Sequence, residues 1–172
     1  QMAQLDATVG RLLSALDKRG IDYAVVLSAD HGGIDLPERL EQQAYPSAER
    51  AVADLLPERL AQEISKSTGV RAPVGKLLYG DGPAGDVYLS DNLSSAEKAK
   101  VMQALVALLG RYPQVAAVFT AQQLAEAPLP TGSPQEWSLK ERARASFDAR
   151  LSGDVVFLLS RAVTAIPKPA PG

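Results

Sequence analysis

The chain has 172 residues, 46% hydrophobic and 22% charged, with a formal net charge of -2. That is the size of one ordinary domain, or of one domain with an insertion, and the composition is that of a globular protein with a real core. The charge gives no electrostatic reason to expect nucleic acid or an anionic membrane as partner, and no apolar run reaches the roughly 18 residues of a membrane helix. No basic start followed by an apolar stretch marks a signal peptide.

Cysteine is absent and His31 is the one histidine. Disulfides, thiolate metal sites and a cysteine nucleophile are therefore excluded within the chain. Chemistry that needs two imidazoles must borrow one from elsewhere. The start at Gln1 and the Pro-rich end, Pro167 to Gly172, suit a segment of a longer protein.

In chain order, residues 1–19 read as an amphipathic helix. Leu5, Val9, Leu12, Leu13 and Leu16 share one face, and Gly20 follows the cations Lys18 and Arg19 as a stop. Tyr23 to Ser28 is a short apolar, β-branched run of the kind buried in a parallel sheet covered on both faces. It ends in Ala29-Asp30-His31-Gly32-Gly33, polar groups and glycines at the carboxyl end of a strand, where open α/β sheets place their sites. Residues 34–46 suggest a loop with a helical turn. Residues 47–67 suggest helix, broken near Leu56 by Pro57. Leu77 to Tyr79 and Asp86 to Leu89 read as strands around the turn-rich Gly80 to Gly85.

Ser94 and Glu97 form a capping-box pattern ahead of a helix whose apolar face is Val101, Met102, Leu105, Leu108 and Leu109, closed by Gly110. Val115 to Phe119 follows as a strand and Ala121 to Glu126 as a short helix. Pro128, Pro130, Gly132 and Pro134 mark a loop. Ser138 and Glu141 repeat the capping spacing before a helix to about Arg150. Asp154 to Leu159 reads as a further buried strand.

The expected fold is α/β: part of a central, mostly parallel sheet flanked by helices, with an inserted α+β, plait-like subdomain. Residues 1–46 and 128–172 are assigned to the α/β core and 47–127 to the insertion. The strand before Asp30 and the strand near Val155 are expected in the central sheet.

Asp30 and His31 are the one site-like pair. Carboxylate oxygen and imidazole nitrogen are good ligands for zinc and similar ions, and two glycines let the backbone turn without crowding a metal. As a bare string the same residues also fit an ordinary turn at a strand end. Other candidates point to structure. Asp35 suits a solvated loop carboxylate, Asp6 and Gly10 suit helix packing, and Arg161 and Lys168 suit surface charge. Trp137 and the tyrosines are too scattered for a stacking platform. Gly80 to Gly85 lacks the Gly-Lys-Ser/Thr of a nucleotide-binding loop.

The stretch from Leu5 through Gly10 to Leu16, then Gly20, then Tyr23 to Gly33, resembles a signature of the alkaline phosphatase superfamily. Asp6 to Gly10 corresponds to its helix and Leu27-Ser28-Ala29-Asp30-His31-Gly32-Gly33 to its strand-end motif. Ser152 to Leu158 is similar to secreted bacterial alkaline phosphatases of the PhoK or PafA type. The resemblance implies a two-zinc phosphate-monoester hydrolase working through a phospho-enzyme intermediate, in the periplasm or outside the cell. It implies Asp30 and His31 as two ligands of one zinc. It places the nucleophile and most other ligands before residue 1 and a last histidine after residue 172, so no catalytic residue is expected in this chain and the chain alone is expected to be silent. The implied partners are a phosphate-ester small molecule and the remainder of the parent chain. Phosphodiesterases or nucleotide pyrophosphatases and sulfatases of the same superfamily remain alternatives, as does a non-catalytic module that binds no metal.

Overall fold

In a computed structural model the described residues are 2–28, 33, 35–43 and 47–167. They fall into two units, residues 1–33 and residues 34–172.

The first unit contains α1, Met2–Asp17. Its end matches the expectation: Gly20 takes φ 65°, and the N–H groups of Gly20 and Ile21 return to Asp17 O and Leu16 O at 3.0 and 3.2 Å. Residues 21–28 then run without ladder bonds among the described residues. The buried strand expected at Tyr23 to Ser28 is therefore not formed here: Val26 is 89% and Leu27 96% exposed. The physical reason is that such a strand is stable only between neighbours that pair with it and layers that cover it, and the described residues supply neither.

The second unit begins with α2, Pro37–Gln42, then β1, Glu49–Ala51, and a 3-10 turn at Ala53–Leu55. Here the expected helix over 47–56 gives way to strand and turn. The composition favours helix, but β1 is claimed by a parallel partner, β6, Val163–Pro167, more than a hundred residues later. The break at Leu56 is where the sequence puts it. Pro57 opens α3, Pro57–Thr68, and Leu56 before it sits at ψ 140°, driven out of the helical region by the proline ring. Gly69, at φ 74°, closes α3.

The remaining strands are β2, Leu78–Tyr79, β3, Gly85–Leu89, β4, Val115–Thr120, and β5, Val155–Leu159. They form one sheet in the order β2-β3-β5-β4, every neighbour antiparallel. The strand near Val155 was expected in a parallel sheet; it is an inner strand of this antiparallel one. Its unbroken apolar run needs no parallel pairing, because one face is buried in the core and the other is half-buried. Val155 and Phe157 are buried in the core with Leu60 and Ile64 of α3 and Val101, Leu105 and Leu109 of α4, Ser95–Leu109. Val156 and Leu158 on the opposite face are half-buried and line a cleft with Ala143 and Phe147, in and just after α6, Leu139–Ser146.

Capping behaves as the sequence indicates. Ser94–Glu97 and Ser138–Glu141 both form complete boxes. Thr120 with Gln123 forms a third, opening α5, Ala121–Ala125. Helix α6 stops at Ser146, short of the expected Arg150. Asp148 turns the chain there: its carboxylate accepts from Arg150 N at 2.8 Å and its carbonyl from Ser152 N at 2.8 Å.

Candidate metal centre

Asp30 and His31, the two ligands suggested by the sequence, lie outside the described residues. What is described is the approach to them and the exit. On the approach, the Tyr23 hydroxyl donates to Asp17 Oδ1 at 2.8 Å, tying the extended segment back to the end of α1. That bond, with slight desolvation and the carboxylate's charge, raises the Tyr23 pKa above its ordinary value. The apolar side chains Leu5, Val9 and Leu12 of α1 and Val25 to Leu27 of the extended segment are exposed.

On the exit, Asp35 is committed to structure. Its Oδ1 accepts from Leu36 N at 2.9 Å and pairs with Arg39 Nη1 at 3.2 Å, fastening the start of α2. This agrees with the reading of Asp35 as a loop carboxylate. Helix α2 is in turn joined to β1 by a forked pair, Arg50 Nε and Nη2 donating to Glu38 Oε1 and Oε2 at 2.6 and 3.2 Å. The guanidinium holds the Glu38 carboxyl below its usual range, chiefly through these bonds.

Asp6 and Gly10 are exposed on α1, and a Cβ at Gly10 would meet no atom within 4 Å, so the expected packing role is not seen among the described residues. Arg161 is exposed on the turn between β5 and β6, while Lys168 lies outside the described residues. The described residues contain no cluster of three or more His, Cys, Asp or Glu able to hold a metal. A cleft beside α6 brings Asp86 and Arg142 to its walls, but both are engaged. Asp86 Oδ1 accepts from Gly153 N at 2.5 Å, and Arg142 donates to Trp137 O and Gln135 O at 2.9 and 3.1 Å. Among the described residues no helix is long and apolar enough to cross a membrane.

A family model described as type I phosphodiesterase / nucleotide pyrophosphatase matches residues 1–168. The chain is 43% identical over 170 residues to the alkaline phosphatase PhoK of a Sphingomonas species, covering 99% of this chain and 30% of that protein. It is also 43% identical over 169 residues to the alkaline phosphatase PhoD of Zymomonas mobilis, covering 98% of this chain and 29% of that protein. The chain thus spans about three-tenths of the length of these curated relatives. A crystal structure of a variant of the alkaline phosphatase PafA superposes with a TM-score of 0.52 at 15% identity, covering 73% of this chain and 22% of that one, which is a likeness of fold. With the family match running from the first helix past β6, the chain belongs to the type I phosphodiesterase / nucleotide pyrophosphatase family, within the alkaline phosphatase superfamily.

Proposed function

We propose that this chain is part of a zinc-dependent alkaline phosphatase that hydrolyses phosphate monoesters, and that Asp30 and His31 are two ligands of one of its zinc ions. The observation that carries the reading is the 43% identity, along nearly the whole chain, to two proteins that are alkaline phosphatases. The donor chemistry fits. An aspartate and an imidazole side by side are ordinary zinc ligands, and the glycines after them leave room for an ion. Two donors do not complete a four-coordinate site, and His31 is the chain's one histidine. The nucleophile that carries the phospho-enzyme and the other ligands are assigned to the remainder of the parent protein. Zinc bound there would polarise the phosphoryl group and lower the pKa of the attacking oxygen. By the same relationship the parent is assigned to the periplasm or the cell exterior.

We further propose that residues 1–51 and 161–172 belong to the α/β core and that the four-stranded unit is the insertion. The pairing of β5 with β3 and β4 supports reading the second boundary at about residue 160 in place of 127/128, and the pairing of β1 with β6 supports reading the first at about residue 51 in place of 46/47.

The test uses the whole parent protein. Asp30→Ala and His31→Ala should each remove one zinc ion per protein, read by elemental analysis, with loss of most p-nitrophenyl phosphate turnover. Retention of the full zinc content in both variants would overturn the ligand assignment. A phosphodiesterase is the second reading, favoured by the description of the family model. Turnover of bis-p-nitrophenyl phosphate exceeding that of p-nitrophenyl phosphate would select it.

A further inference from the structure

We propose that Gln114 is the latch that holds the four-stranded unit at a fixed angle to the β1–β6 pair. The chain passes between these two parts twice, after β1 and between β5 and β6. The core cluster runs from Val52 and Leu55 to Leu159, whereas the buried Ala48, Ala51, Ala162 and Val163 around the parallel pair lie outside it. Three of those four are alanines, which bury little area.

Gln114 spans this seam. It stands just before β4, is 6% exposed, and uses both ends of its amide on β1 and the residue that follows it. Nε2 donates to Arg50 O at 3.1 Å, and Oε1 accepts from Val52 N at 2.8 Å. The side chain thereby pairs with β1 as one residue of a neighbouring strand would. Its own carbonyl accepts from Ser160 N at 2.7 Å, at the second crossing, and Ser160 Oγ donates to Pro113 O at 3.1 Å. One residue thus binds both crossings. The second crossing is also constrained by Ala162, at φ 69°, a left-handed conformation unusual for alanine, whose carbonyl accepts from Glu49 N at 3.0 Å. Two part-buried amide bonds across the seam hold it in register, since losing them leaves a part-buried donor and acceptor without partners.

The experiment reads geometry, so its failure leaves the zinc assignment untouched. The chain contains no cysteine, so Glu41→Cys on α2 and Gln103→Cys on α4, both exposed, give a single spin-labelled pair across the seam. The distance distribution should be narrow with Gln114 in place. Gln114→Met, which keeps the shape and removes the amide, should broaden it and raise hydrogen exchange at Val52 and Ser160 by about tenfold or more. Gln114→Glu keeps an acceptor for Val52 N and should preserve protection there. Leu105→Ala, in the core away from the seam, should lower stability while leaving the distribution narrow. An unchanged distribution in Gln114→Met, equal loss of Val52 protection in Gln114→Glu, or equal broadening in Leu105→Ala would each overturn the proposal.

Discussion

Gly153 shows what a single missing methyl group secures. A Cβ there would lie 2.7 Å from both Val87 N and Val87 O, atoms of an inner strand's backbone that have nowhere to go. The close approach lets Gly153 N donate to Asp86 Oδ1 at 2.5 Å and Asp154 Oδ2 accept from Leu89 N at 2.7 Å, clamping the end of β3 to the start of β5. Gly153→Ala should force these strands apart and cost about 1–3 kcal/mol, read as a lower urea midpoint at unchanged slope. The Ser152-Gly153-Asp154 string was noticed in the sequence for its resemblance to relatives. Its physical role, a contact between backbones, depends on a strand more than sixty residues away and could not be read locally.

Helix starts are the elements that local chemistry specifies best. At Ser94–Glu97 and Ser138–Glu141 the carboxylate accepts from the serine hydroxyl and the serine N–H, which lowers both glutamate pKa values. A folded-state pKa below the unfolded one means stabilisation that is complete above the ordinary carboxylate range and is lost as pH falls through the lowered value. Thermal melts from neutral pH into that range should therefore show a smaller acid loss in Glu97→Gln plus Glu141→Gln than in the unmodified chain. Ser94→Ala should cost about 1 kcal/mol at neutral pH through the lost cap. Both boxes were legible because a hydroxyl, two spacers and a carboxylate close the motif within one turn. The expected helix over 47–56 failed for the opposite reason: Glu49 to Ala51 form a strand because β6 is there to pair with, and β6 itself carried no signal ahead of the proline-rich end.

At the scale of the molecule, unit 2 carries an extensive core, while Leu5, Val9 and Leu12 of α1 and Val25 to Leu27 stand exposed. The relatives extend over more than three times this length, and the proposed function assigns the missing catalytic groups to that remainder. The 172-residue chain alone should therefore show no p-nitrophenyl phosphate turnover above background with zinc supplied. Turnover abolished by Asp30→Ala would contradict that expectation and place a complete site within the chain.

By itself the sequence determined the positions of most helices, their caps, the break at Pro57, the β2–β3 hairpin, and the superfamily through the helix and the Asp30-His31 motif. These depend on residues within a few positions of one another, where spacing and side-chain chemistry act directly. Only the tertiary structure decided that β5 lies inside an antiparallel sheet, that β1 joins β6, and that a buried glutamine ties the two parts together. An apolar inner strand has the same composition whichever way its neighbours run, and a glutamine has no periodic pattern to betray it. Partner, direction and burial are set by what the rest of the fold brings alongside.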